Sequence, residues 1–257
     1  IKRTNKNFHY SSKEIENHFS NNRISWTQFY PSERKIILKT GINKRSNVLD
    51  IGCACGGLGL ALKEKFGVTD YTGVEINQQA IKTARILNPK AKLINADILE
   101  VKQNELDTEY FDYVFSLSCI DWNIEFENML NKSFSFVKPN GNFIVSLRLS
   151  FNETVNDITK SFQYINYKKN IVSVIAPYVV LNFDDIITTL TKTLDVSEIN
   201  SYGFWGNPSN TATTPYNQIF FAVFSIKKRF SSDSNSRINY NLDYPDEVIR
   251  LIDHKLI

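Results

Sequence analysis

The chain has 257 residues, 42% of them hydrophobic, 13% aromatic and 22% charged. That balance excludes a disordered, fibrous or disulfide-stapled miniature protein and leaves a globular chain with a substantial core. Thirty Lys and Arg against 27 Asp and Glu leave a formal charge of +3, short of the basic excess of a dedicated nucleic-acid binder.

No apolar run approaches the roughly 18–20 residues that span a bilayer, and no signal-peptide core follows the basic start Ile-Lys-Arg-Thr-Asn-Lys-Asn. Cys53, Cys55 and Cys119 are an odd and small set, and the first two lie too close together to bridge easily, so a reducing, cytoplasmic setting is expected. The lack of an initiator Met reads as a trimmed or partial chain.

The first forty residues carry two helical stretches, from Ser11 to His18 and from Pro31 to Leu38, the second opened by a proline suited to a first helical turn. They are expected to form an N-terminal helical lid over residues 1–40. At residue 47 the character changes: Val48-Leu49-Asp50-Ile51-Gly52 is an apolar strand running into a glycine-rich turn, with Leu58, Leu60, Ala61, Leu62 and Phe66 following at helical spacing. The alternation continues with a strand at 70–76, a helix at 78–87, strands at 92–97 and 111–116, a helix at 126–137 and a strand at 142–147. Strands alternating with helices predict a parallel sheet covered on both faces, an α/β doubly wound domain over residues 41–229.

Residues 151–180 read as an insertion near the acceptor region. Asn182-Phe183-Asp184-Asp185 opens a capped helix, and strands are expected at 196–204 and 218–227 around a long polar loop, Gly206 to Thr211. Residues 230–257 read as a Ser/Asn-rich linker and C-terminal tail with a short helix at 245–255.

The turn Gly52-Cys53-Ala54-Cys55-Gly56-Gly57 puts backbone with little side-chain bulk at the carboxyl edge of the first strand, where open α/β sheets hold ligands. Glu75 follows about 20 residues later, at the end of the second strand, which suits hydrogen bonding to two ribose hydroxyls. Spacing alone leaves both a nicotinamide dinucleotide and a sulfonium cofactor open. Asp50 favours the latter, because it attracts an amino group or sulfonium and repels a pyrophosphate. Asp97, ending the third strand, is suited to an exocyclic adenine amine.

This ordered set resembles the class I S-adenosylmethionine-dependent methyltransferases across most of residues 47–147, with a continuation to Lys228. Val48 to Gly57 is similar to that family's first motif, Glu75 to its ribose-binding acid, and Asn95-Ala96-Asp97-Ile98 to its adenine-contacting segment. Val137-Lys138-Pro139-Asn140-Gly141-Asn142 resembles its helix-to-strand turn. Two departures are Ala54, where the family usually has a glycine, and Asn140, which replaces another.

The resemblance implies a Rossmann-like, seven-stranded, mostly parallel sheet with an antiparallel last strand. It implies S-adenosyl-L-methionine as cofactor, S-adenosyl-L-homocysteine as product, and a cofactor site drawn from Asp50, Gly52, Cys53, Ala54, Gly56, Glu75, Ile76, Asp97, Ile98, Ser116 and Tyr30. The exit of the fourth strand, Ser116 to Trp122, is expected to face the transferred methyl.

That exit has no Asn/Asp-Pro-Pro-Tyr, which by resemblance would indicate methylation of an adenine or glutamine nitrogen, and no Pro-Cys nucleophile. Asp121 is the catalytic candidate, as a base or substrate anchor, with a helix cap as its bland reading. Cys119 reads as a packing residue, and Cys53-x-Cys55 lacks a second ligand pair for zinc, so no metal is expected. His9 and His18 would act only if the lid folds over the site; His254 lies in the tail. Trp26, Phe29, Tyr30, Trp205 and Tyr216 are lid or acceptor-pocket aromatics.

The expected reaction is methyl transfer to an oxygen or nitrogen of a small molecule or a glycan or lipid intermediate. An RNA or protein methyltransferase, or a cofactor-binding module without activity, is the alternative. Acceptor identity and oligomeric state do not follow from the chain.

Overall fold

A computed structural model describes residues 13–165, 175–230 and 237–252. Helices α1 (Lys13–Asn22) and α2 (Pro31–Leu38) precede strand β1 (Asn47–Ile51). Then follow α3 (Gly57–Phe66), β2 (Asp70–Glu75), α4 (Gln78–Leu87), β3 (Lys92–Asn95), β4 (Phe111–Ser116), α5 (Phe126–Ser135) and β5 (Val137–Ser150). Short strands β6 (Phe162–Tyr164), β7 (Ile175–Pro177) and β8 (Leu181–Asn182) lead to α6 (Phe183–Lys192). The chain continues with β9 (Val196–Gly206), β10 (Ala212–Thr213), β11 (Ile219–Lys228), β12 (Asn239–Asp243) and α7 (Asp246–Ile252).

The main sheet runs β12-β9-β11-β5-β4-β1-β2-β3, with β8 paired to the end of β5. Strands β1 to β5 are mutually parallel, and β11 is antiparallel to both β5 and β9. The expected doubly wound sheet with an antiparallel last strand is therefore present. Successive residues of β1 point to opposite faces, as the pleat requires: Leu49 belongs to the apolar cluster that holds Met129 and Leu130 of α5, while Val48 belongs to the one that holds Leu58 and Leu62 of α3 and Ile36 and Ile37 of α2.

Two features extend the expected seven strands. Asn239–Asp243, inside the stretch read as linker and tail, adds an edge strand parallel to β9, and Tyr244, Val248 and Ile252 behind it enter the core. Tyr240 and Leu242 alternate with polar residues along β12, a half-buried strand pattern that the Ser/Asn-rich stretch before it obscured. Within 151–180, β6 and β7 join β10 in a separate three-stranded sheet beside the main one.

Strand order reverses between β1 and β4, so their connections leave in opposite directions and open a crevice at the carboxyl edge. The cavity described below lies there. Among the described residues, no helix is long and apolar enough to cross a membrane.

Candidate functional site

The glycine-rich turn is shaped by three left-handed residues, Gly52 (φ 74°), Ala54 (φ 47°) and Gly56 (φ 75°). Gly52 is required on a second count, since a Cβ there would lie 2.4 Å from Cys119 Sγ. Ala54 pays the steric penalty of this conformation and is held by a specific contact: its N–H donates to Glu75 Oε2 at 2.9 Å. Glu75 Oε1 accepts from the Asn77 N–H at 2.8 Å, so the carboxylate clamps the turn to the end of β2. Burial raises the Glu75 pKa, and the amide donors oppose that shift.

Asp50, at the end of β1, is buried and accepts the Tyr71 hydroxyl on Oδ2 at 2.6 Å. Burial pushes its carboxyl up to about 7, against the pull of the Tyr71 hydroxyl and the Arg23 charge. Asp97 Oδ1 accepts the Leu99 N–H at 2.9 Å, which holds the carboxyl at the mouth of β3.

A cavity of about 910 Å³ runs along this edge, at the upper end of the range for small-molecule sites. Gly52, Ala54, Glu75, Ile76, Asp97 and Ile98 line it. Asp121 lines it as well, and Tyr30, exposed, borders it from the N-terminal segment. Asp50 and Cys53 instead border a small adjoining recess of about 40 Å³ under the turn. Gly56 caps α3 and lines neither space. Ser116 is fully buried within the sheet and also lines neither.

Asp121 sits in the short 3-10 turn after β4, as the strand exit predicted, but it is not a solvent-facing cap. Its Oδ2 accepts from the Arg148 backbone N–H at 3.1 Å and from Nε at 2.8 Å, while its carbonyl accepts from Arg148 Nη2. Arg148 is itself buried, with its guanidinium 3.8 Å from the Tyr178 ring centre and 4.6 Å from that of Trp122. Asp121 Oδ1 is buried and has no hydrogen-bond partner among the described residues.

Arg148 and Tyr178 were missed by the sequence reading. The available signal was an arginine inside the apolar run Phe143 to Leu149, a charge that burial forces to find a partner. Of the five aromatics singled out, only Tyr30 reaches the cavity; Trp26 packs edge-on against Phe66, and Trp205 packs against Phe151 and Phe220. His18 lies on α1 at the cavity rim, whereas His9 and His254 fall outside the described residues. Cys53 and Cys55 keep their protons: burial raises both thiol pKa values.

The donor set fits a nucleoside-bearing sulfonium better than a dinucleotide. Three carboxylates stand at the strand ends, and the two arginines lining the cavity are each already paired, Arg23 with Glu33 and Arg148 with Asp121. A pyrophosphate would meet acids without a free counter-charge. The methyltransferase domain family matches residues 42–199, from before β1 into β9.

The chain belongs to this family of methyltransferase domains. Phosphoethanolamine N-methyltransferase 2 of Caenorhabditis elegans is 28% identical over 121 residues, 46% of this chain and 28% of that protein. Malonyl-[acyl-carrier protein] O-methyltransferase of Acetivibrio thermocellus is 22% identical over 250 residues, 93% of this chain and 85% of that protein.

Among solved structures, phosphoethanolamine N-methyltransferase 2 of Haemonchus contortus, in complex with phosphomonomethylethanolamine and S-adenosylhomocysteine, superposes with a TM-score of 0.57 at 15% identity. It covers 84% of this chain and 57% of that one. The match to the C. elegans relative thus spans little more than a quarter of that protein's length. The likeness to the solved structure is one of fold.

Proposed function

We propose that this methyltransferase-domain chain uses S-adenosyl-L-methionine to methylate a nitrogen or oxygen of a small-molecule acceptor, including glycan or lipid intermediates of that size. One observation carries the reading: a single cavity is lined both by Glu75 and Asp97 and by Asp121 and Arg148. Its volume leaves room for a second molecule beside a nucleoside cofactor. A relative named phosphoethanolamine N-methyltransferase supports a small-molecule acceptor.

In this reading Glu75 holds the ribose hydroxyls with the lone pairs that its amide donors leave free, while Ile76 and Ile98 flank the adenine and Asp97 accepts from its amine. Ala54 and Gly52 let the backbone approach closely, and the remaining proposed contacts, Cys53, Gly56 and Ser116, act by shaping the turn and the β4 exit. The cofactor supplies an activated methyl on a positive sulfur. The protein's own task is alignment at about 3 Å and exclusion of water.

Asp121 Oδ1 accepts a hydrogen bond from the acceptor N–H or O–H. The bound cofactor would supply its activated methyl to the acceptor, leaving S-adenosylhomocysteine, and Asp121 Oδ1 would take the proton that the acceptor sheds. Arg148 fixes the carboxylate by the hydrogen bonds to its Oδ2 and carbonyl.

The test is thermal unfolding with S-adenosylhomocysteine, S-adenosylmethionine and NAD in parallel, followed by a search for labelled product from S-adenosylmethionine and small-molecule fractions. At 100-fold over its dissociation constant a ligand adds about 2.7 kcal/mol, raising the midpoint by roughly 5–10 °C. A shift with the sulfur ligands and labelled small-molecule product is expected. A shift with NAD alone, or label appearing only in RNA or protein, overturns the reading.

A further inference from the structure

Arg148 and Asp121 use only part of their hydrogen-bonding capacity on one another. The guanidinium donates to Asp121 through Nε at 2.8 Å and through Nη2, which share one edge of its plane. The other edge, Nη1 with the second Nη2 hydrogen, makes no hydrogen bond to the described residues. The Asp121 carbonyl also accepts the Val179 N–H at 3.0 Å, while carboxylate Oδ1 has no partner. Each residue is only 4% exposed, and both line the cavity. An ion pair that served packing alone would close these valences, because buried polar groups without partners are costly.

Strand pairing sets apolar surface beside the free edge. Phe221 of β11 stands opposite Arg148 of β5, and Phe204 of β9 stands opposite Phe221, so the three side chains leave one face of the sheet in a row. Phe204 and Phe221 stack with ring centres 5.7 Å apart, and both line the cavity. Two other cationic side chains line it among the described residues: Arg23, bonded to Glu33, and His18, on α1 at the rim.

A guanidinium edge gives two parallel N–H bonds to a planar carboxylate. A phosphate dianion would bring a second negative charge beside Asp121, where the one guanidinium already balances a carboxylate. An amine cation would meet Arg148 as a like charge and leave its N–H groups open. A carboxylate adds a single negative charge, which the sulfonium of the cofactor offsets.

We propose that the acceptor is a small carboxylic acid on an apolar skeleton. Its carboxylate sits on the free edge of Arg148, its skeleton lies against Phe221 and Phe204, and its N–H or O–H donates to Asp121 Oδ1. The spare donors and the spare oxygen belong to one bonded pair, so a single small molecule spans both. The carboxylate is the anchor and is not itself methylated. The proposal rests on the methyltransferase reading above and narrows it, making Arg148 a specificity residue and setting aside phosphorylated and uncharged acceptors.

The test incubates the wild-type protein with methyl-labelled S-adenosylmethionine and a small-molecule cell extract, and reads the chemistry of the labelled product. Carbodiimide coupling to a primary amine should shift its mobility, which reports a free carboxylate, whereas phosphatase and alkali should leave it unchanged. A product that does not couple, that phosphatase alters, or whose label alkali releases as methanol overturns the proposal while upholding methyl transfer to a small molecule. Label in no small molecule overturns both.

Arg148→Lys supplies the second measurement, since it keeps a cation beside Asp121 and removes the planar edge. With the extract fraction that yields the wild-type product as substrate, its KM for acceptor should rise about ten- to a hundredfold, the range for losing hydrogen bonds to a charged group. Its KM for S-adenosylmethionine and its affinity for S-adenosylhomocysteine should stay at the wild-type values. An unchanged acceptor KM, or a parallel loss toward acceptor and cofactor, overturns the assignment of Arg148. The wild-type product assay decides the carboxylate on its own should the variant fail to fold.

Discussion

Arg148 Nε donates to Asp121 Oδ2 at 2.8 Å between the ends of β5 and β4, and the two buried side chains leave Asp121 Oδ1 as an unused acceptor beside the cavity. Breaking such a pair from one side strands a buried charge, whereas removing both charges does not. Arg148→Met should therefore destabilise the protein by about 3–5 kcal/mol, and adding Asp121→Asn should recover most of that loss. Chemical denaturation of the two single variants and the double variant measures the coupling; additive losses would contradict the account. Asp121→Asn alone should bind S-adenosylhomocysteine normally while losing turnover, separating a role toward the acceptor from one toward the cofactor.

Asp50 predicts a pH dependence with a definite sign. Its carboxyl rises from the ordinary 3.8 to about 7 in the folded chain, so the folded state holds a proton that the unfolded state has released between those values. Stability conferred by that proton is lost as pH climbs from about 4 through 7. Asp50→Asn still accepts the Tyr71 hydroxyl and carries no charge, so its melting midpoint should fall less steeply over this window and exceed the wild-type midpoint near pH 8. Glu33 and Glu75 are shifted upward too, so the slope should shrink rather than vanish. Identical slopes in the two proteins would contradict the assignment.

Ala54 holds a left-handed backbone, φ 47°, at a position where glycine carries no penalty. Ala54→Gly should preserve the N–H bond to Glu75 and stabilise the protein by up to about 1 kcal/mol, the left-handed penalty less the added unfolded-state freedom. Scanning calorimetry should show a midpoint higher by roughly 1–4 °C. A lower midpoint would mean that the Ala54 methyl packs usefully.

The parallel core was legible because β1 and β2 are short runs closed by Gly52 and Glu75, and because Asp97 follows just after β3. Asn182 was read as a cap and does accept the Asp185 N–H at 3.0 Å. What stayed hidden depends on contacts distant in sequence. Arg23 meets Glu33, and reaches the recess that Asp50 borders, only after the N-terminal segment folds across α3, and Tyr178 meets Arg148 only after the 151–180 excursion returns to β8.

Strand β12 was obscured by the Ser/Asn-rich stretch before it, although Tyr240 and Leu242 alternate along it and Tyr244, Val248 and Ile252 just beyond it are buried. A chain ending at Phe230 should consequently lose several kcal/mol of stability, at roughly 1.5–3 kcal/mol per fully buried large side chain. Denaturation of that shortened chain at unchanged midpoint would show that the last segment adds nothing to the core.

The central claim, that the acids at the strand ends hold S-adenosylmethionine, is tested most directly by calorimetric titration of the intact protein with S-adenosylhomocysteine and, separately, with NAD. The account predicts saturable one-to-one binding of S-adenosylhomocysteine, strongly weakened in Glu75→Ala, and no heat with NAD. Binding of NAD with no response to S-adenosylhomocysteine would contradict it.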